Sequence, residues 1–370
     1  MSNDSISREA LTRIVNLVKP ALSTQDYMPA LKHILFADGY ATAFNDATGI
    51  QVTLPHEDLD LDLCLPGDML SRTLNSFNAE KVLLQPNDKD GSLVVASGRA
   101  RIKLKTLPKG SHPFELPKGK AADVTLSDDM LAGIRRCLIS VGNNPSHPAG
   151  MGVTLDQVKG KATLYSTDNA TISRYATKDS IELPGDSPVI MPTFFCEQLV
   201  SLARAFPKAE VFLRLYAGAV MAVFEQGSLS VARLVTKTLS DASPLDFPRI
   251  VAKHVDVDKA SGLLVKIPAA FDSAFDRALL VLGSEVDKHT KVSHTDAGVK
   301  LVSTSDAGEA SDAIEFEDLS EHDDRDFNVD PTLVARACKT CGRVGFFNRV
   351  MVFADDEAAK FLHLVAHSSV

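Results

Sequence analysis

Two short motifs in this chain place potentially reactive side chains at regular spacing. Cys338 and Cys341 form a Cys-x-x-Cys pair, a spacing used by zinc sites and by redox-active dithiols. A four-ligand zinc site needs a second pair, and the remaining cysteines are isolated in sequence. Because both thiols fall on the apolar stripe of a predicted helix, the pattern favours buried structural cysteines.

The second motif alternates carboxylates with leucines. Asp58, Asp60 and Asp62 are each followed by Leu, which predicts a strand with three carboxylates on one face and three leucines on the other. Such a row could bind a divalent cation. A solvated outer face above a leucine-lined core is the favoured interpretation, and the histidines show no spacing typical of a triad or metal cluster.

The rest of the sequence offers little catalytic chemistry. There is no GxxxxGK[ST], GxGxxG, GxSxG or HExxH motif, which lowers the expectation of an enzyme, and we predict no cofactor and no metal. Five cysteines in 370 residues are too sparse for a disulfide framework. No apolar run is long enough to span a membrane and the N-terminus is polar, so we expect a cytoplasmic protein without a membrane partner.

A threefold internal repetition organises the chain. An amphipathic helix is predicted near the start of each third, with apolar residues at i, i+3, i+4 and i+7. The three stripes are Leu11, Ile14, Val15 and Val18; Met130, Ile134, Leu138 and Val141; and Phe271, Phe275, Ala278, Leu279 and Leu282.

Short β-rich runs with glycine turns follow each helix, and a second helix then starts near Pro66, Pro192 or Pro331. One unit of helix, strands, helix, strands therefore occurs three times, which predicts an α+β protein. Turn residues near Lys118 to Lys120 and Ser243 to Pro248 suggest the domains 1–119, 120–246 and 247–370.

The charge is unevenly distributed along the chain. The net charge is −9. The six predicted helices with their flanking residues carry fourteen basic and ten acidic residues, so they sum to about +4 and the remainder to about −13. An acidic protein with mildly basic helices could attract phosphates on one surface. The plain preference of helices for Lys and Arg explains the same count.

The run from Ser97 to Pro108, Ser-Gly-Arg-Ala-Arg-Ile-Lys-Leu-Lys-Thr-Leu-Pro, is the most distinctive stretch of the sequence. It resembles the strand that closes the first domain of the bacterial DNA polymerase III beta subunit, the beta sliding clamp. Three further segments fall in the order of that family, and together the four span nearly the whole chain: Ser166 to Asp168, Asp246 to Val251, and Asp326 to Val329.

The resemblance implies three tandem clamp domains with the DNA-clamp fold. Two chains would join head to tail as a homodimer, forming a six-domain ring around double-stranded DNA with helices lining the hole. Contacts to phosphates alone are independent of sequence, which lets a ring slide. The implied function is a non-enzymatic processivity factor that tethers the replicative DNA polymerase and is loaded by a clamp-loader ATPase. A clamp-like scaffold that does not encircle DNA, and a metal- or thiol-dependent enzyme, stay open as alternatives.

In the resembling family, the ring interface joins the edge strand of domain one to domain three of the partner. Ile102 and Leu104 are expected to pack on Leu280 and Val281. The basic face of the edge strand is expected to begin at Arg99, and Glu315 and Glu317, on an acidic strand of domain three, are its expected charge partners. The alternative is an exposed, positively charged edge strand. The residues implied at the interface are Arg99, Arg101, Ile102, Lys103, Leu104, Leu280, Val281, Glu315 and Glu317.

Clamp-binding proteins of that family insert a peptide between domains two and three. The matching positions are Thr167, Thr171, Ile172, Pro248, Ile250, Val251, Leu364, Val365 and Ala366. The chain departs from the family at Asn169, Ala170 and Thr171 and at its C-terminal end. Such divergence would suit a clamp with a divergent polymerase, for example one encoded by a phage.

The family's DNA-touching loop arginine has no clear counterpart here. We therefore expect backbone contacts from basic residues of the helices. These are Arg13, Arg72, Arg135, Arg136, Arg204, Arg336 and Lys339.

Overall fold

The computed structural model contains helices and antiparallel sheets in a repeating order. It describes residues 5–56, 59–87, 90–184, 187–239, 243–295, 297–317, 319, 326–347, 349–355 and 360–368. Eight α-helices lie in this part of the chain: α1 (Arg8–Val18), α2 (Gly67–Ser76), α3 (Asp128–Cys137), α4 (Thr193–Ala205), α5 (Phe247–Ala252), α6 (Val257–Leu263), α7 (Ala269–Leu282) and α8 (Pro331–Cys338). None of these helices is long and apolar enough to cross a membrane.

The strands of the first half of the chain are β1 (Ile6–Ser7), β2 (His33–Ala37), β3 (Tyr40–Phe44), β4 (Thr48–Thr53), β5 (Leu63–Pro66), β6 (Lys81–Asn87), β7 (Ser92–Ser97), β8 (Ala100–Lys105), β9 (Leu107–Pro108), β10 (Ala122–Leu126), β11 (Gly152–Val158), β12 (Lys161–Thr167) and β13 (Thr171–Ser180). The second half contains β14 (Val189–Pro192), β15 (Glu210–Tyr216), β16 (Ala219–Gln226), β17 (Leu229–Lys237), β18 (Val265–Lys266), β19 (Thr290–Thr295), β20 (Gly298–Ser305), β21 (Gly308–Glu315), β22 (Phe327–Val329), β23 (Arg343–Phe347), β24 (Val350–Ala354) and β25 (Phe361–Ala366).

Two sheet topologies each occur three times. In the first, which we call the A sheet, the strand orders are β4-β3-β2-β5, β13-β12-β11-β14 and β21-β20-β19-β22. In the second, the B sheet, the orders are β1-β6-β7-β8, β10-β15-β16-β17 and β18-β23-β24-β25. The repetition predicted from the helix stripes is therefore present in the strand order as well.

In the part of the chain that the structure describes, A and B sheets are joined edge to edge at two places, which we call seams. At the first seam β4 pairs with β17, and at the second seam β13 pairs with β25, both antiparallel. Each seam joins the third strand of an A sheet to the last strand of the next B sheet. In the described residues, β21 and β8 occupy the same two positions in their sheets and end them without a neighbour.

The chain forms two compact units. The first contains Met1–Ser127 and Phe194–Ser240, and the second contains Asp128–Thr193 and Asp241–Val370. Each unit holds one seam, a second four-stranded sheet and helices. The predicted domains 1–119, 120–246 and 247–370 stay a prediction.

Apolar stripes hold the helices on the sheets. The first helix of each repeat packs on the second and third strands of its own A sheet: α1 on β3 and β4, α3 on β12 and β13, and α7 on β20 and β21. We call the face of each sheet on this helix side the inner face. All four predicted stripe residues of α1 are buried, and Ser7 caps the helix by accepting a hydrogen bond from the N–H of Ala10.

Several helices end earlier than their sequence pattern predicts. Helix α3 stops at Cys137 and a single 3₁₀ turn follows, so Leu138 and Val141 lie beyond its end. Helices α1, α2, α3, α4, α7 and α8 contain eight basic and seven acidic residues, a net charge of about +1 rather than +4. The rest of the basic surplus lies outside the helices: Lys81 and Arg343 begin the strands β6 and β23, and Lys19 and Lys339 directly follow helices, where cations are favourable beside the C-terminal carbonyl groups.

Candidate functional site

The basic residues predicted on the helices differ in how they are engaged. Five of them are exposed: Arg13, Arg72, Arg135, Arg204 and Lys339. Arg136 and Arg336 are half-buried and bound within the chain, and Arg13, although exposed, also donates a hydrogen bond from Nη2 to the carbonyl of Ala205. Lys339 directly follows α8 and does not lie within it. Exposed guanidinium and ammonium groups are the kind that contact phosphates.

Arg336 is tied to the turn between β12 and β13. Its Nη2 lies 3.5 Å from Oδ2 of Asp168, and the arginine side chain is 42% exposed. The same carboxylate orders the turn, because its Oδ1 accepts hydrogen bonds from the N–H groups of Ala170 and Thr171. A residue predicted on the DNA-facing helices thus holds a residue next to the predicted peptide site.

Strand β8 is the basic edge predicted from the sequence. Its inner-face residue Leu104 is buried and Ile102 is half-buried, while Arg101, Lys103 and Lys105 alternate with them and are exposed. Lys103 forms an ion pair with Asp90, which lowers the pKa of that carboxyl group.

Arg99 is not part of that strand, contrary to the expectation. It lies in the two-residue turn between Ser97 and Ala100, where Gly98 adopts a φ of +59°. A glycine in the left-handed region is what a tight hairpin turn requires at this place, so the turn ends the alternation before Arg99.

Strand β21 is the acidic edge. Glu309 and Glu315 lie exposed on its outer face, and Asp312 and Ile314 lie on the inner face. Glu317, expected on the same strand, lies two residues past its end and is exposed. On the neighbouring helix α7, Leu280 is 82% exposed, an unusual value for a large apolar side chain.

The residues predicted for a partner peptide gather in one place, within the second unit. Ile172 of β13 pairs across the second seam with Leu364 of β25, and Thr171 pairs with Val365. Ile172, Val251 and Leu364 belong to a single apolar cluster, in which Phe247 of α5 stacks on Tyr165 with ring centroids 5.0 Å apart.

The remaining members of that set lie at the rim of the cluster. Pro248 and Ile250 of α5 are half-buried, and Ala366 donates its N–H to the carbonyl of Ala170 in the β12–β13 turn. Thr167 is buried and donates its hydroxyl to the carbonyl of Thr171. The structure therefore brings all nine predicted positions together around one turn, one helix and one strand end.

A buried polar network next to this turn was not predicted from the sequence. The Nδ1 atom of His363 lies 3.0 Å from Oγ of Ser173 and 3.2 Å from Oγ of Ser140, which also accepts from the hydroxyl of Thr171. His363 is fully buried, and this burial, with the nearby charge of Arg336, lowers its pKa to about 3. The only sequence signal was a histidine amid the apolar residues of a strand.

The two motifs that suggested an enzyme do not assemble into sites. Residues 60–62 precede β5 in irregular structure, so the predicted strand with a row of carboxylates is wrong, and Asp58 lies outside the described residues. Asp60 instead accepts a hydrogen bond from the N–H of Gly39, and Asp62 pairs with Lys109.

Cys338 is the last residue of α8, and Cys341 lies three residues past its end rather than on the helix stripe. Burial raises the pKa of both thiols, that of Cys341 to about 11, which is opposite to what a reactive thiolate needs. Among the residues that the structure describes, no three His, Cys, Asp or Glu side chains come together as metal ligands.

No protein-family model and no curated protein sequence matches the chain. Solved structures do match it along its length. The chain is similar to the beta subunit of DNA polymerase III from Thermotoga maritima, with 17% sequence identity, a TM-score of 0.80 and 99% of both chains covered. It is also similar to the DNA polymerase sliding clamp from Pseudomonas aeruginosa, crystallised with a ligand, with 17% identity and a TM-score of 0.83 over 99% of both chains.

A third similar structure is the sliding clamp, DNA polymerase III subunit beta, from Bartonella birtlesii bound to griselimycin. It is 16% identical, with a TM-score of 0.82 and 99% of both chains covered. The chain thus has the fold of the bacterial beta sliding clamps, as the resemblance of its sequence motifs implied, while its sequence has diverged far from theirs.

Proposed function

We propose that the chain is a DNA sliding clamp that closes as a head-to-tail homodimer around double-stranded DNA. In this proposal each chain contributes three domains, 1–119, 120–246 and 247–370, to a six-domain ring. The ring tethers a replicative DNA polymerase by topology and high local concentration, without catalysing a reaction.

One observation carries the proposal: among the described residues, two of the three equivalent pairs of sheet edges are joined within the chain, and the edges of the third pair, β8 and β21, have no such neighbour. The repeat of A and B sheets makes β21 equivalent to β4 and β13, and β8 equivalent to β17 and β25. A second copy, rotated head to tail, presents its β8 to β21 and its β21 to β8. Two such seams close a ring and leave no exposed edge of this kind.

The side chains of the two edges are complementary on both faces. On the inner face, Ile102 and Leu104 would meet Ile314 and the exposed Leu280, as inner-face residues meet at the two observed seams. On the outer face, the basic residues Arg101, Lys103 and Lys105 would meet Glu309 and Glu315. Opposite charges on facing strands stabilise the pairing and set its direction.

The charged outer faces of β8 and β21 are consistent with the positions of the segments that connect the domains. At the first seam the outer face is apolar at Val235, beside the Gln51–Arg233 pair, and Phe114 covers this apolar part; its ring lies so close to Gly49 that an added Cβ would be 2.2 Å from it. At the second seam Phe247 and Val251 of α5 cover the outer face. In the proposed domain division, Phe114 and helix α5 each lie in the segment that connects one domain to the next. A seam between two chains has no such linker, so its outer face stays in water and carries charge.

The exposed basic side chains Arg13, Arg72, Arg135, Arg204 and Lys339 are the proposed contacts to the DNA backbone. The cluster around Ile172, Val251 and Leu364, with the rim of Pro248 and Ile250, is the proposed site for a polymerase or clamp-loader peptide. Because the turn beside it contains Asn169 and Ala170, we expect its preferred peptide to differ from that of other clamps. A cytoplasmic location follows from this function.

Encirclement can be tested without a loader by using two charge-reversed variants. One carries Arg101→Glu and Lys105→Glu, and the other carries Glu309→Lys and Glu315→Lys. Each is expected to be monomeric alone, and the two should pair when mixed. Pairing in the presence of circular plasmid, followed by a zero-length amine–carboxylate cross-linker, would close rings around the DNA.

A sliding clamp fixed in this way should stay on circular plasmid in 1 M salt and leave it when the plasmid is cut once. Equal retention on circular and linear DNA, or loss from both in high salt, would contradict encirclement. The second outcome favours the alternative, a clamp-like scaffold that does not encircle DNA.

A further inference from the structure

Two arginines make the same type of contact at the two observed seams. Arg13 of α1 donates from Nη2 to the carbonyl of Ala205, the last residue of α4, at 2.8 Å. Arg136 of α3 donates from Nη1 to the carbonyl of Thr340, just past the end of α8, also at 2.8 Å. The last carbonyls of a helix lack intrahelical partners and carry partial negative charge, so a guanidinium there is stabilising.

Each of these guanidinium groups also lies over an aromatic ring that belongs to the next repeat of the chain. Arg13 is 5.8 Å from the ring centre of Phe206, and Arg136 is 5.4 Å from that of Phe361. In both cases the first helix of one repeat thereby fastens the end of the second helix of the next repeat. The contact is a feature of the seam, because it recurs although the surrounding sequences differ.

Helix α7 carries an arginine at the place that matches Arg136 of α3; Arg13 lies about one turn earlier along α1, on the same side. Arg277 is the ninth residue of α7, as Arg136 is the ninth residue of α3. The third, sixth, seventh and tenth residues of both helices are buried, so the two arginines leave their helices on the same side. The sheet beside α7 is the one whose third strand, β21, pairs with β20 and has no second neighbour within the described residues.

In the single chain, Arg277 is bound to Asp312 on the inner face of β21. Nε of Arg277 lies 3.1 and 3.2 Å from the two carboxylate oxygens, and Nη2 lies 2.6 Å from Oδ1. This two-pronged contact uses one side of the guanidinium and points its Nη1 N–H groups away from the carboxylate. The arginine side chain is 50% exposed and the aspartate side chain is 21% exposed.

The matching acceptor is the end of α2, the second helix of the first repeat. Within the described residues, hydrogen bonds at this end use the carbonyls of Thr73, Leu74 and Ala79. The carbonyls between them, from Ser76 to Asn78, correspond in position to those of Ala205 and Thr340 at the two seams.

We propose that Arg277 is the fastening residue of the seam between two copies: it keeps Asp312 and donates from Nη1 to the carbonyls of Ser76–Asn78 at the end of α2 in the second copy. This inference rests on the proposed head-to-tail dimer and adds a specific residue to it. It also explains why the ion pair of Arg277 and Asp312 lies on the inner face of its sheet. The inner faces of the two observed seams pair uncharged residues instead, Ile50 with Leu234 and Ser173 with His363.

The test is the dimer dissociation constant, measured by sedimentation at several protein concentrations. Arg277→Ala should raise this constant at least tenfold, and Arg277→Lys at least threefold, because an ammonium group cannot hold both acceptors in the planar geometry. Lys178→Ala, which removes an exposed cation of β13 outside the proposed interface, is the control and should leave the constant unchanged. Thermal unfolding of the diluted chains checks that each variant folds.

A double-mutant cycle separates the proposed contact from a role confined to the single chain. In the Asp312→Ala background, Arg277→Ala should still raise the dissociation constant at least threefold. No change in that background would overturn the inference, because Arg277 would then act only through Asp312. A dimeric wild type that Arg277→Ala leaves unaffected overturns the inference alone, whereas a monomeric wild type overturns the proposed dimer and this inference together.

Discussion

The pairing of the two charge-reversed variants follows from the charges on β8 and β21. Arg101 and Lys105 on one edge, and Glu309 and Glu315 on the other, supply about two opposite pairs at each seam. An exposed pair stabilises by roughly 0.2–1 kcal/mol, and a like-charged pair destabilises by a similar amount. Reversal therefore costs about 1 kcal/mol per pair, or roughly 4 kcal/mol over two seams, which is about a thousandfold in the dissociation constant.

Sedimentation at 0.15 M salt gives the decisive comparison. Each variant alone should sediment as a monomer of 39.8 kDa at concentrations where the wild type is a dimer. An equimolar mixture should regain dimers, because one seam then has the native charges and the other has both signs exchanged. A mixture that stays monomeric, or single variants that remain fully dimeric, would refute the head-to-tail assignment of these edges. Lys178→Glu with Lys237→Glu changes the charge equally on exposed strand positions outside both edges and should leave the dimer intact.

Three further results are expected. His363 has a pKa of about 3 in the folded chain and an ordinary pKa of 6.5 in the unfolded chain, so the unfolded chain binds one more proton between these values. The free energy of unfolding should therefore fall as the pH drops from 6.5 towards 3, by up to about 1.4 kcal/mol per pH unit. Urea unfolding should show a smaller fall for His363→Leu. Arg72→Glu with Arg204→Glu should weaken binding to a fluorescent DNA duplex. The slope of the logarithm of the binding constant against the logarithm of the salt concentration should become smaller by about one for each lost phosphate contact. Gly49→Ala should lower the free energy of unfolding by roughly 1–3 kcal/mol, because the new methyl group displaces the ring of Phe114.

Each of these experiments has a control or an opposing outcome. An unchanged pH slope in His363→Leu would show that other groups set the acid sensitivity. The Lys178→Glu, Lys237→Glu variant has the same charge change as the helix variant and should keep most of the DNA affinity. Gly110→Ala is the matched control for Gly49→Ala, because an added Cβ there meets no atom within 4 Å.

Some of the proposed clamp was visible in local patterns of the sequence. Leu11, Ile14, Val15 and Val18 recur with helical spacing and are buried, since one face of α1 must meet a sheet. The alternation of basic and apolar residues from Arg101 to Lys105 predicted β8, because strand side chains alternate between faces.

Two other sequence patterns gave wrong predictions of secondary structure, each for a physical reason. Alternation from Asp58 to Leu63 has the period of a strand, yet residues 60–62 pair with no neighbour, and a strand needs hydrogen bonds from an adjacent strand that the local sequence does not encode. Cys341 has helical spacing from Cys338, but the helix ends at Cys338. Helix ends depend on which carbonyl groups find other partners, such as the contact of Thr340 with Arg136.

The sequence by itself determined the apolar stripe of α1, that the pattern is threefold, and that one edge is basic, because periodicity and charge are properties of neighbouring residues. Only the tertiary structure decided which strands meet at the seams, that His363 is buried beside Ser140 and Ser173, and that Arg277 holds Asp312. Those contacts join residues far apart in the chain, and they follow from sheet register and packing, which no local pattern specifies.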